Sequence, residues 1–298
     1  MINYSFIIPH HNCPKLLNRL LDSIPQREDI EVIVVDDNSD SDKKPNVSRS
    51  DVHVVLIPAD ESKGAGHARN VGLGIAKGRW LLFADSDDYY VEDFITYLDE
   101  YINTDADIVF FSAYVNYDVE HPQKSQGQNY IDLIFQNYIE SRKTELDLRR
   151  AAMAANVPWN KMFNRKFIFN IGARFEEIPI SNDAWFVKYS GAKASKIEII
   201  RKRLYYYIKY SNNTTNKKRP LSHYYLAIDS NTRRNILLRD VGLFDMIAFP
   251  GFNKENILRD FGKWTFVKLF FYKLFHDPTF LRSIMTKLRT KMGSMSLV

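Results

Sequence analysis

The sequence predicts an α/β fold, a mostly parallel mixed sheet flanked by helices, followed by a C-terminal helical extension. Three observations predict it. Short β-branched apolar runs alternate with segments of helical spacing as far as Phe111. Polar and acidic residues gather directly after those runs. The charge then divides, with 30 Asp+Glu against 22 Lys+Arg over residues 1–200, and 6 against 19 over residues 201–298.

Taken in order, Phe6-Ile7-Ile8, Val32 to Val35, Val52 to Ile57, Trp80 to Phe83 and Ile108 to Phe111 read as strands. Leu16, Leu17, Leu20, Leu21 and Ile24 share one helical face, and so do Phe94, Ile95, Leu98 and Ile102. Strands that alternate with helices pair in parallel, because each crossover helix covers a sheet face. The segment HPQKSQGQN (121–129) reads as a loop and residues 130–155 as helical. PWNKMFNRKFI, FEEIPISNDAWF and RLYYYIKYSNNTTN are less regular, and beyond about residue 216 the pattern is helical and basic.

The 298 residues and 45% hydrophobic content suffice for one large domain or two smaller ones. The single cysteine, Cys13, excludes an internal disulfide and points to a reducing compartment. No run approaches the roughly 18–20 apolar residues that a membrane span needs. The opening MINYSFIIPHHN lacks the basic start of a signal peptide. A cytoplasmic protein is therefore expected, at the inner face of the plasma membrane if it meets lipid. The basic tail calls for an anionic partner, with a merely solvated basic surface as the plainer alternative. No helix-turn-helix, zinc or RNA-recognition signature is present, so no nucleic-acid partner is expected.

Ligands of parallel sheets bind beyond the carboxyl ends of the strands, which directs attention to three segments. In Asp85-Ser86-Asp87, two carboxylates one residue apart can share a divalent cation. Mg²⁺ and Mn²⁺ prefer such hard oxygens and share them with substrate phosphates. Capping of a helix near Val91 by Asp87 or Asp88 would explain one carboxylate but not three. Asp36-Asp37-Asn38-Ser39 is either a plain turn or an acceptor for a nucleobase imide. Gly64 to Asn70 (GAGHARN) is a poor dinucleotide fingerprint, since no third glycine follows and it is not at the first strand. It reads as a loop entering a helix, with Arg69 near a phosphate or base.

In order and spacing, FIIPHHN, EVIVVDDNSD, GAGHARNVGL, WLLFADSDDYY, PWNKMF, FEEIPISNDAWF and YYYIKYSNNTT resemble the family 2 glycosyltransferases, of bacterial surface-polysaccharide type, from about residue 3 to about 215. The resemblance implies a Rossmann-like GT-A fold. It implies a catalytic domain over 1–215, with a nucleotide-sugar half (1–110) and an acceptor half (111–215), and a basic helical extension over 216–298. It implies an inverting, metal-dependent transfer of a sugar from a nucleotide-sugar, a UDP-sugar first, to a hydroxyl of a polysaccharide or lipid-linked oligosaccharide. Pro9, His11, Asn12 and Asp37 would border the base, Arg69 and Ser86 the nucleotide, and Asp85 the ribose. Asp87, with Asp85, would ligate Mn²⁺ or Mg²⁺. Asp183 would be the catalytic base, and Trp159, Asn160, Lys161 and Asn182 would lie on the acceptor side.

Two positions depart from the family pattern. His11 stands where a tyrosine is usual, and Asn182 replaces an acidic residue beside the base. They keep open a catalytically silent member that only binds nucleotide-sugar or a partner. A sugar-nucleotide nucleotidyltransferase would want a Gly-rich basic loop after the first strand, which FIIPHHN lacks. In the tail, Leu281, Ile284, Met285, Leu288 and Met292 form an apolar stripe flanked by Arg282, Lys287, Arg289 and Lys291. Such a helix suits an anionic membrane surface, or else packs on the catalytic domain.

Overall fold

The computed structural model describes residues 1–117, 130–135, 144–210, 219–248, 254–282 and 284–285. The chain divides into two compact units, Met1–Asn212 and Asn213–Val298. The boundary expected near residue 215 lies outside the described residues.

The first unit runs β1 Tyr4–His10, α1 Pro14–Ser23, β2 Ile30–Asp37, β3 Val52–Ile57, α2 Ala65–Ile75, β4 Trp80–Phe83, β5 Tyr89–Tyr90, α3 Phe94–Asp99 and β6 Ile108–Tyr117. It continues through α4 Tyr130–Phe135, α5 Glu145–Ala154, β7 Lys161–Asn164, α6 Arg165–Asn170, α7 Ala184–Lys193 and β8 Ile197–Lys209. One eight-stranded sheet has the order β3-β2-β1-β4-β7-β6-β8-β5. β1 pairs in parallel with β2 and β4, β2 with β3, and β6 with β8. β7 is antiparallel to both β4 and β6, and β5 is antiparallel to β8. The mostly parallel mixed sheet is thus observed. All five predicted strands are present, while β5, β7 and β8 had no clear apolar run to announce them.

β1 is buried at every position because helices cover both of its faces. Tyr4, Phe6 and Ile8 join Leu17, Leu20 and Leu21 of α1, while Ile7 joins Leu73 of α2 on the other side. Each such apolar side chain contributes roughly 1.5–3 kcal/mol on burial. Pro9 sits inside this strand without harm. β4 ends at Phe83, opposite Ile7, so the edge of β1 that Pro9 turns toward has already lost its ladder partner. α1 begins on Pro14, whose fixed φ and missing N–H suit a first helical turn. The capping alternative for Asp87 or Asp88 does not occur. β5 follows them, α3 starts behind Asp93, and Asp88 instead accepts a hydrogen bond from the Ile208 N–H at 2.7 Å. Of residues 130–155, two helical stretches, α4 and α5, are described.

The second unit contains α8 Leu221–Asp240 and α9 Lys254–His276, which pack through Tyr224, Ile228, Ile257 and Leu269. α9 breaks at Gly262, whose φ of 80° is open to glycine and rare for other residues. Lys273 and Asp277 form a fully buried ion pair at 2.6 Å. Among the described residues, no helix is long and apolar enough to cross a membrane. Of the predicted stripe beyond Leu281, residues 286–298 lie outside the described residues.

Candidate active site

The C-terminal ends of β1, β2 and β4 meet α2 and the loop before α7 in the first unit. At the end of β1, His10 is buried and its Nδ1 lies 2.8 Å from Asp36 Oδ1. Its Nε2 accepts from the Cys13 N–H, so Nδ1 carries the proton and donates to Asp36. Burial pushes the Asp36 carboxyl up, but hydrogen bonds from Ser39 and His10 outweigh it and hold the group below its ordinary value. This buried pair fastens the ends of β1 and β2 together. His11 faces solvent, with Nδ1 donating to the Asp37 carbonyl at 3.0 Å and Nε2 accepting from the Asn12 amide at 3.1 Å. Asn12 adopts φ 58°, a left-handed conformation that Asn tolerates better than most residues. Its N–H donates to Ser39 Oγ and its Oδ1 accepts from the Asp40 N–H, both at 2.8 Å.

Asp37 is buried, and Oδ2 accepts from the Gly64 N–H at 2.9 Å. Oδ1 is buried without a partner. An unpaired buried carboxylate oxygen costs free energy until a donor reaches it, so this atom is prepared for an N–H or O–H from a ligand.

Arg69 comes from the second turn of α2. It is buried and bridges two segments, donating from Nη2 to Asp85 Oδ1 at 2.6 Å and from Nη1 to Asn182 Oδ1 at 2.9 Å. Its guanidinium also lies over the Phe175 ring at 5.5 Å. Gly66 lets the two segments approach, since a Cβ there would stand 2.1 Å from the Glu176 carbonyl oxygen. Around the same contact, His67, Lys63 and Asn70 all engage Glu177.

The Asp85–Asp88 turn concentrates three carboxylates. Burial, then the charge of Asp85, pushes Asp87 up to about 6. Burial, then the charges of Asp85 and Asp87, holds Asp88 well above its ordinary value, against hydrogen bonds from Ile208 and Tyr205. Arg19 and Tyr210 both donate to the Asp87 carbonyl, Tyr210 at 3.2 Å. The Tyr205 hydroxyl accepts from the Asp85 N–H at 3.0 Å. Ser86 is buried, its Oγ 3.0 Å from the Cys13 thiol, a group that burial pushes up. Asp85 and Asp87 are hard oxygen donors whose mutual repulsion a divalent cation would relieve, so the donor set fits Mn²⁺ or Mg²⁺. Among the described residues, no three His, Cys, Asp or Glu side chains cluster at metal-ligand spacing. Such an ion would therefore fill its shell with substrate oxygens and water.

Asp183 sits at the start of α7, two residues after Ser181, which takes the left-handed φ of 51°. Burial raises the Tyr207 hydroxyl to about 12, and the charges of Asp88, Asp85, Asp87 and Asp183 add to the rise. Sequence reasoning quoted Tyr205, Tyr207 and Tyr210 only within the YYYIKYSNNTT motif, with no role, and did not single out Arg19. The alternation of Tyr205 and Tyr207 on one strand face was the available signal.

Trp159, Asn160 and Lys161, predicted to line the acceptor side, are all buried. Trp159 stacks on Tyr205 and Tyr207, with ring centroids at 5.0 and 5.5 Å. The Lys161 ammonium spends its three donors on the Ala155 and Val157 carbonyls and Asn160 Oδ1, at 3.0, 2.8 and 2.6 Å. Trp159 thus lies against the tyrosines, and none of the three is at an open surface. Asn182 is the member of this group that borders the site, through Arg69.

Comparison with known proteins agrees with this fold. The family model described as "Glycosyl transferase family 2" matches residues 5–171. The Escherichia coli UDP-Glc:alpha-D-GlcNAc-diphosphoundecaprenol beta-1,3-glucosyltransferase WfaP is 37% identical over 119 residues, 39% of this chain and 46% of that protein. The Streptococcus pneumoniae glycosyltransferase GlyG is 27% identical over 70% of this chain and 71% of its own length. The chain thus spans under half of WfaP and most of GlyG. Staphylococcus aureus TarS 1–349, solved in complex with UDP-GlcNAc, superposes with a TM-score of 0.66 at 19% identity, covering 92% of this chain and 80% of that one. Fold, strand-end carboxylates and family match lead to one assignment: this chain belongs to glycosyl transferase family 2 and carries its GT-A fold.

Proposed function

We propose that this chain is an inverting, metal-dependent glycosyltransferase that moves a sugar from a UDP-sugar to a hydroxyl of a polysaccharide or lipid-linked oligosaccharide. The observation that supports the reading is the Arg69 fork, which bonds Asp85 of the acidic turn and Asn182, the neighbour of Asp183. The solved TarS complex with UDP-GlcNAc supports a UDP-sugar, and the likeness to WfaP, a glucosyltransferase acting on a GlcNAc-diphosphoundecaprenol, supports a lipid-linked acceptor.

In this reading Asp37 Oδ1 accepts from the base imide, and the His11 ring packs on the base beside Pro9 and Asn12. Stacking of a base on an aromatic ring is worth roughly 1–3 kcal/mol. Arg69 orders Asp85 toward the ribose, and Ser86 holds the turn. Asp87, with Asp85, would hold Mn²⁺ or Mg²⁺, whose chemistry is to offset charge on the departing diphosphate. The Asp183 carboxylate takes the proton of the acceptor hydroxyl as its oxygen attacks the anomeric carbon and the bond to the diphosphate oxygen breaks. General-base assistance of this kind supplies roughly 10²–10⁴-fold. The basic C-terminal unit would keep the chain at an anionic membrane surface, near a lipid-linked acceptor.

Thermal unfolding with UDP, GDP, dTDP and CMP, each with and without Mn²⁺, tests the donor site. A ligand at about 100 times its Kd stabilises by about 2.7 kcal/mol. At this chain length that is a rise of several degrees in Tm, at roughly 2–4 °C per kcal/mol. The expected result is a rise with UDP that requires Mn²⁺ and is lost in Asp87→Ala. No rise with any nucleotide would sink the reading.

A further inference from the structure

α9 is apolar on two opposite sides. Leu269 and Lys273 are buried, the first against α8. Half a turn away, at helical spacing, lie Trp264, Val267, Phe271 and Phe275, which are 82%, 37%, 48% and 78% exposed. Four large apolar side chains on one exposed helical face are more than an ordinary protein surface carries, and they mark a contact. Lys268 borders this stripe and Lys263 lies one residue before it; both are exposed. From Phe261 to the end, the sequence holds seven Lys+Arg and one acidic residue, Asp277, which is buried against Lys273. No acidic side chain of this stretch therefore faces solvent.

We infer that the Trp264–Phe275 face of α9 binds an anionic lipid surface, its aromatic rings entering the headgroup region while Lys263 and Lys268 meet lipid phosphates. A helix with aromatic side chains on one face and lysines at its border has the chemistry of an interfacial element. Long lysine stems reach from an apolar border to charged head groups. A second copy of this chain is the weaker occupant, because apposing the two faces would bring like charges together. The inserted stripe lies one helix earlier than the sequence stripe that begins at Leu281. The inference deepens the membrane reading above but does not depend on the donor site.

Flotation of the full chain with vesicles of phosphatidylcholine, with and without phosphatidylglycerol, tests it without donor or acceptor. The expected result is binding only with phosphatidylglycerol, with a blue shift of tryptophan emission that Trp264→Phe removes, since Trp80 and Trp159 are buried and Trp185 is half-buried against Tyr189. Phe271→Ser with Phe275→Ser should lower partitioning about tenfold or more. Lys263→Gln and Lys268→Gln should each lower it about fivefold and each reduce the salt dependence. Both phenylalanines are exposed, so the variants should keep the wild-type circular dichroism and any UDP-induced rise in Tm. That rise reads the donor site separately, so either reading can fail alone. Equal flotation of the phenylalanine variant would overturn the inference. So would a wild-type dimer that the same variant dissolves in sedimentation, which would assign the face to a second copy.

Discussion

Arg69 donates to Asp85 at 2.6 Å from a buried guanidinium, so the first carboxylate after β4 is paired before any ligand arrives. Its other arm holds Asn182, beside Asp183. A lysine is a single point of charge and cannot make both bonds in this fork geometry. Arg69→Lys should therefore keep the fold and lose about tenfold or more in kcat/KM, because one segment is released. Arg69→Ala should also destabilise by about 2 kcal/mol. That is less than the roughly 3–5 kcal/mol for breaking a fully buried pair, because Asp85 stays partly wet. Chemical denaturation and steady-state kinetics on the two variants separate these outcomes.

Two glycines of α2 should respond in opposite directions to the same change. Gly66→Ala would set a Cβ 2.1 Å from the Glu176 carbonyl, so α2 or the loop leading to Asp183 must move. A loss of about 1–3 kcal/mol is expected, as for other overpacked sites, with a fall in turnover. Gly74→Ala meets nothing within 4 Å and lies in the same helix. It should gain about 0.5–1 kcal/mol with activity unchanged. Equal effects from the two substitutions would contradict the close approach.

The ends of β1, β2 and β4 were legible because parallel central strands are continuous apolar runs, and polar residues directly after them stand out. Asp37 and Asp85 were found this way, and Arg69 through the GAGHARN segment that enters α2; the structure gives each a defined partner. What stayed hidden depends on pairing between distant segments. β7 is four residues long and holds its place only by lying between β4 and β6. Lys161 looks like a surface residue in sequence, yet three local acceptors let it be buried. No local pattern shows that Trp159 lies against Tyr205 and Tyr207, since the contact crosses some 46 residues of chain.

The Lys273–Asp277 pair gives the second unit an acid-sensitive joint. Burial pushes Asp277 up, but Lys273 and Thr279 more than offset it, so its folded pKa lies below the ordinary 3.8. A carboxyl with a lowered folded pKa contributes stability that is complete above about pH 4 and is lost as pH falls through the folded value. Asp277→Asn should remove that acid dependence. It should also cost about 3 kcal/mol at neutral pH, because Lys273 is left buried without its counter-charge. Thermal melts of wild type and variant across the acid range check both expectations. Parallel acid slopes would show that the pair does not carry the dependence.

Asn182 offers a test of the general base from its neighbour. Arg69 donates to the Asn182 carbonyl oxygen, so the amide stands where a carboxylate would also be received. Asn182→Asp keeps that acceptor and adds a negative charge one residue from Asp183. Like charges resist joint ionisation, so the new carboxylate should raise the pKa of Asp183, with Arg69 screening part of the effect. The ionised base is the active form. The acidic limb of the kcat/KM profile should therefore move to higher pH, with the plateau near the wild-type level. Asp183→Asn should lose roughly 10²–10⁴-fold at every pH while keeping the UDP-induced rise in Tm. A profile unmoved by Asn182→Asp, together with near wild-type turnover in Asp183→Asn, would assign the proton to another group.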